Sequence, residues 1–200
     1  GARVALNSRD AVKLAKAAAT LQEASGSPVI ACAGDVSDPA VPARLVEQAE
    51  RLYDANFSPN VRPIAARKAR LWVAQGRLGE ALGWARGQGL SVENELSYLH
   101  EFDHITLVRV LLALYQSDRA GRTIQEAKGL LERLLKAAEE GGRKGSVIEI
   151  LVLQAIAYHA QGDLPTALLP LQHALELAEP EGYVRMFLDE GSRMLQLLAA

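Results

Sequence analysis

Apolar residues recur at helical spacing along most of the chain, and the breaks between runs fall at glycine and polar clusters. In 146–191, Ile148, Leu151, Leu153, Ala155 and Tyr158 repeat at helical turns, stop at Gln161-Gly162-Asp163, and resume at Leu164, Ala167, Leu168, Leu171, Ala174, Leu175 and Leu177. This predicts two antiparallel helices and the start of a third. Gly162 has no Cβ to clash in a left-handed turn. Asp163 has the carboxylate that an N-cap needs to accept a backbone N–H. The small side chains of Ala167 and Ala174 permit close helix approach.

The same grammar appears upstream. A helix starting near Pro63 carries Ile64, Ala66, Ala69, Leu71, Trp72 and Val73 to Gln75-Gly76. A second holds Ala81, Leu82, Trp84 and Ala85. The phrase Val73–Gly76 echoes His159–Gly162, with Trp72 in the place of Tyr158. Between these pairs, helices are predicted from about Leu96 to Tyr115 and over Thr123–Glu139, joined by the polar stretch Gln116–Arg122. Gly141-Gly142 and Gly145 break the chain before the last pair. Ala81, Ala127 and Ala167 take equivalent places in three helical pairs. Small and aromatic residues at these offsets resemble the tetratricopeptide repeat (TPR), with Pro180 closing the last unit slightly late and a longer, uneven period. Three pairs suffice for a solenoid, because each repeat buries its face on its neighbours. The expected fold is mainly all-α, a TPR-like solenoid of antiparallel helix pairs over residues 50–200.

Residues 1–47 read differently. Arg3–Asn7 is a short β-type run, and Asp10–Ala24 is an amphipathic helix ended by Ser25-Gly26-Ser27-Pro28. Val29–Ala33 is a continuous apolar run of strand length, and a helix follows from about Pro39 toward Ala49. Strand, helix, strand, helix with apolar strands predicts a short βαβα Rossmann-like fragment. The chain changes character between about Val46 and Asn56.

Composition narrows the function classes. The 200 residues are 49% hydrophobic, 23% charged and only 5% aromatic, which is globular and suited to helices packed through Ala and Leu. The formal net charge of −2, with no polybasic block, gives no nucleic-acid footprint. One cysteine, Cys32, excludes an internal disulfide. No apolar run approaches the roughly 20 residues of a membrane-spanning helix. The chain opens on Gly1 with neither Met nor a signal-peptide pattern, so the expectation is a partial or trimmed chain in the cytoplasm.

Two resemblances add to this reading. GARVALNSR and GDVSDP resemble a strand and a strand end of the short-chain dehydrogenase/reductase family. That resemblance implies Arg9 beside an NADP 2′-phosphate, and Asp35 and Val36 by the adenine. The departures are substantial: no Gly-rich phosphate loop precedes Arg3, no Asn-Asn-Ala-Gly follows, and no tyrosine is followed four residues on by lysine. Without these, the sequence offers neither a pyrophosphate cradle nor a proton donor. From about residue 50 onward, NFSPNVRPIAARKARLWVAQGRLGEALGWA, LSYLHEFDHITLVRVLLA, LLERLLKAAEEGGRKGSVIEILVLQAIA and ALELAEPEGYVRMFLDEG resemble the helical-repeat region of MalT-like, LuxR-type ATP-dependent transcriptional regulators. This implies a signalling scaffold that binds an inducer or partner protein, normally flanked by an ATPase and a helix-turn-helix. No P-loop motif occurs in the chain, and the residues after Phe187 are too few for a DNA reader. The expected role is therefore a non-catalytic sensor region, without cofactor, metal, membrane contact or direct DNA binding, and capable of homo-oligomerisation. The alternative is a remnant of an NAD(P)-dependent oxidoreductase contacting the dinucleotide through Arg9, Asp35 and Val36.

Other features carry less chemistry. His100-Glu101-Phe102-Asp103-His104 matches the zinc-binding pattern H-E-x-x-H, but a charged Asp103 precedes the second histidine and no further ligand cluster follows, so two histidines on a repeat helix are expected instead. Arg62, Arg67, Lys68 and Arg70 read as one basic, solvated helix face. Should an anionic inducer or acidic partner bind the concave surface, Arg70 and His159 are the nominated contacts. Trp72, Trp84 and Tyr158 read as packing residues, Gly182 as a turn into the last helix, and Tyr183 as packing back on the repeat.

Overall fold

The computed structural model describes residues 4–52 and 61–199. Gly1–Arg3, Ala200 and residues 53–60, which include the end of the predicted junction at Asn56, lie outside the described residues. In chain order the elements are β1 (Val4–Ser8), α1 (Ala11–Ser25), β2 (Val29–Ala33), α2 (Ala40–Leu52), α3 (Ile64–Ala74), α4 (Leu78–Gly87), a 3-10 turn (Tyr98–His100), α5 (Glu101–Asp118), α6 (Gly121–Glu140), α7 (Lys144–Ala160), α8 (Leu164–Ala178), α9 (Arg185–Leu188) and α10 (Ser192–Leu198). The fold is mainly all-α and TPR-like, with a small parallel sheet at its N-terminal end.

That sheet is the expected βαβ unit. β1 and β2 pair in parallel, with Val4 opposite Val29 and Ser8 opposite Ala33. Asp10 caps α1 by accepting from the backbone N–H groups of Val12 and Lys13. Leu14, Ala18, Cys32 and Val41 form a small buried core beneath the sheet. α2 packs on both β2 and α3, and the Gln75 side chain donates to the Pro39 carbonyl at 2.7 Å, so the head rests on the first repeat.

The three helical pairs are α3–α4, α5–α6 and α7–α8. Ala81, Ala127 and Ala167 are each 0% exposed. The turns at Gly76 and Gly162 adopt φ of +73° and +83°, the left-handed conformation expected of them. A Cβ at Gly162 would meet nothing within 4 Å, so its cost is purely conformational. Gly162→Ala is expected to lower stability by about 1 kcal/mol, measurable as a reduced urea midpoint at unchanged m-value. The Asp163 carboxylate accepts from the Thr166 backbone N–H at 3.1 Å, making the predicted cap.

Helices α5 and α7 are buried over most of their length in the middle of the array, α7 almost wholly through apolar side chains and α5 with Glu101, Asp103, His104 and Thr106 buried as well. α6 is strongly amphipathic, burying Ile124, Ala127, Leu130, Leu131, Leu134 and Ala138. The second pair departs from expectation at its start. Residues 88–97 form a loop instead of the first turns of a helix from Leu96, and α5 begins only at Glu101. The loop is held by its own polar groups and by Arg133, whose guanidinium donates to the carbonyls of Val92 and Asn94. After α8, Gly182 turns the chain at φ +69° and Gly191 at +63°, and the short α9 and α10 fold back over the last pair through Phe187, Met194 and Leu197. Among the described residues no helix is long and apolar enough to cross a membrane.

Candidate functional site

The first helices of the pairs, α3, α5 and α7, share one face of the array, and α9–α10 close its end. Charged side chains penetrate this wall and are neutralised there. Glu149 on α7 accepts from Arg70 on α3 at 2.7 Å and from Arg109 on α5 at 2.9 Å. Arg109 also binds Glu190, in the turn between α9 and α10, at 2.7 Å. Arg70 further donates from Nε to the Thr106 hydroxyl at 2.9 Å and stacks on the Phe102 ring at 3.8 Å. A chain of charge therefore runs from the first helical pair to the C-terminal turn. Its Glu149 and Glu190 side chains are only 15% and 8% exposed.

Burial and pairing pull against each other in this chain, and geometry decides between them. Burial raises the Glu149 carboxyl, but Arg70 and Arg109 outweigh it and hold the group below the usual carboxylate range. Desolvation lowers the Arg70 guanidinium to about 10, despite the pull of Glu149, and it stays charged at neutral pH. Arg109 is burdened by burial too, yet Glu190 and Glu149 raise it above its ordinary value. For Glu149 the folded state holds the proton less tightly than the unfolded chain. Its stabilisation is therefore complete above the unfolded carboxylate pKa of about 4.3 and lost as pH falls through the lower folded value. Stability measured by urea unfolding from pH 6 down to pH 3 is expected to fall more steeply in the wild type than in Glu149→Gln.

Cavities of about 500 and 360 Å³ open onto this wall, both bordered by Arg70, Arg109 and Glu190. A third, of about 450 Å³, lies nearer the start of α5 and α7, beside Arg62, Tyr98, Phe102 and Tyr183. A fourth, of about 330 Å³, lies at the opposite end of α5 and α7, and His159 and Arg193 line it. The two nominated contacts thus border different cavities of the same face. Arg70 is drawn into the wall, whereas His159 lines the open end.

This placement corrects the reading of one basic, solvated face. Arg62 and Arg67 are exposed, Lys68 lies over the Trp72 ring at 5.4 Å, and Arg70 points inward to Glu149. The H-E-x-x-H side chains are likewise dispersed. The His100 ring is exposed and meets Asp103, His104 is 2% exposed with its Nδ1 on the His100 carbonyl, and Glu101 binds Arg143. Burial lowers the His104 pKa more than its hydrogen bond to the backbone raises it. Among the described residues no group of three or more His, Cys, Asp or Glu is placed to hold a metal ion.

In the head, the ends of the parallel strands bring Arg9 and Asp35 to 3.7 Å, with both side chains well exposed. The Asp35 carboxyl is lowered chiefly by accepting from the Ser37 hydroxyl. Val36 beside it is 60% exposed. The residues that sequence reasoning missed are Arg109, Glu149 and Glu190. A signal was present: Arg109 and Glu149 are single charges inside otherwise apolar helical runs, Val108–Leu112 and Val147–Leu153, where an unpaired charge is not tolerated.

Comparison with known proteins identifies one family. A family model described as the MalT-like TPR region matches residues 30–200, which takes in β2 and α2 as well as every helical pair. No curated protein and no solved structure matches the chain.

Proposed function

The chain belongs to the MalT-like TPR family, and from that premise we propose that it is a non-catalytic, signal-sensing scaffold of a LuxR/MalT-type transcriptional regulator. Its inner face, formed by α3, α5, α7 and α9–α10, takes a small-molecule inducer or a protein partner. In this reading the chain makes no direct DNA contact, works in the cytoplasm and self-associates through surfaces outside that face. The observation that carries the proposal is the Arg70–Glu149–Arg109–Glu190 chain. It holds three helical pairs and the C-terminal turn in one wall, so a ligand binding there bears on all of them at once. Coupling of this kind needs a ligand that interacts differently with two arrangements of that wall.

A second reading has one observation in its favour. Arg9 and Asp35 meet at the ends of parallel strands, which suits a head that contacts a nicotinamide dinucleotide. The two readings separate in one experiment. The purified chain is screened by thermal shift against sugars, amino acids, nucleotides, NADPH and NADP, and every ligand that raises the melting temperature is mapped by hydrogen exchange. The scaffold reading expects added protection in α5, α7 and α10. Protection confined to β1 and β2 with NADPH, and lost in Arg9→Ala, would overturn it.

A further inference from the structure

We propose that the His159 end of the inner groove binds the phosphate group of a small organic phosphate monoester; this rests on the inner face being the ligand-binding surface. The cavity of about 330 Å³ between the C-terminal ends of α5 and α7 and helix α10 is lined by Gln116, Arg119, Ile156, His159, Arg193 and Gln196, together with Ala160. None of these is a carboxylate. Two guanidinium groups give the lining a formal charge of +2, which matches a phosphate dianion, and the two glutamine amides and the imidazole supply further donors. The ends of α5 and α7 oppose this with about half a negative charge each. Together they amount to about half of the guanidinium charge. Part of their field is already met by Arg119, whose Nη1 donates to the Ala160 carbonyl at 3.0 Å.

Two independent features single out these arginines. Arg193 is half-buried, and desolvation lowers its pKa more than nearby Glu190 raises it. Among the described residues it makes no ion pair, unlike Arg70 and Arg109 in the same wall. A guanidinium half-dehydrated and without a direct ion pair carries a cost that an anion would offset. Arg119 sits in the left-handed region at φ +56°, alone among the described non-glycine residues. The equivalent turns of the other two pairs place Gly76 and Gly162 in that conformation. An arginine held where glycine fits without strain points to a use for its side chain. The adjoining cavity of about 500 Å³ shares Ile156 and Arg193 with this one and adds Val73, Leu112 and Leu153, room for the organic body of the ligand.

The test is thermal unfolding of the full chain with inorganic phosphate, phenyl phosphate and acetate, each against chloride at matched ionic strength. Variants are Arg193→Gln, Arg119→Gly and, as control, Arg185→Gln, whose side chain is 89% exposed and lines none of the four cavities described above. At tenfold excess over Kd the wild type and the control are expected to gain about 3–6 °C with phosphate. Phenyl phosphate should reach that gain at lower concentration. Arg193→Gln should keep or raise the ligand-free melting temperature and lose the specific gain, as should Arg119→Gly. General salting-out stabilisation by phosphate acts on all four proteins alike, so the difference between them reads the site. An equal phosphate gain in wild type and Arg193→Gln would overturn the proposal, as would acetate matching phosphate. Inner-face protection by a different, uncharged ligand would then leave the scaffold reading standing without the phosphate site.

Discussion

Replacing Glu149 with alanine is expected to cost about 3–5 kcal/mol, because it leaves Arg70 and Arg109 facing each other across a dehydrated wall with their shared counter-charge removed. For a chain of this length that is a fall in melting temperature of about 6–20 °C. The magnitude comes from uncompensated burial and does not measure the strength of the pair. Changing all four partners together, Arg70→Met, Arg109→Met, Glu149→Leu and Glu190→Gln, is therefore expected to recover most of the loss, since no charge of that chain is then left unpaired in the wall. Glu181→Ala, which breaks the exposed contact to Lys144 at 3.2 Å, should have little measurable effect. Urea unfolding of the four proteins checks the ordering. Equal losses for Glu149→Ala and Glu181→Ala would contradict it.

Leu131→Ala is expected to cost about 2–5 kcal/mol through lost burial and a residual cavity. Leu131 lies on α6 with 0% exposure, within the core that joins the second and third pairs. Its neighbour Leu135 is only partly buried on the same core, and Leu135→Ala should cost distinctly less. In a solenoid each repeat is stabilised by its neighbours, so the Leu131 cavity should also lower the cooperativity of unfolding, seen as a broader transition.

The repeat was legible because its grammar is local. The alternation of apolar runs with Gln-Gly turns, and the three alanines at equivalent places, depend on neighbours within one helical hairpin. All three alanines are completely buried, and Gly162 and Asp163 make the turn and cap that their chemistry suggests. The βαβ unit was legible for the same reason. The start of α5 was not, because the 88–97 loop is held by Arg133, some 40 residues further along the chain. The ionic wall was least legible. Arg70 and Glu149 are 79 residues apart, and Arg70 shares a short basic stretch with residues that do face solvent. Periodicity places a charge on a helix face without saying what that face meets.

The central claim is that Glu149 holds three helical pairs and the C-terminal turn as one inner wall. Hydrogen exchange of Glu149→Gln against the wild type at neutral pH tests it most directly, since this variant keeps the side-chain shape and removes the charge. The account expects faster exchange in α3, α5, α7 and the α9–α10 segment together, with α1 and β1–β2 unchanged. Faster exchange confined to α7, with α3 and α9–α10 at wild-type rates, would contradict it.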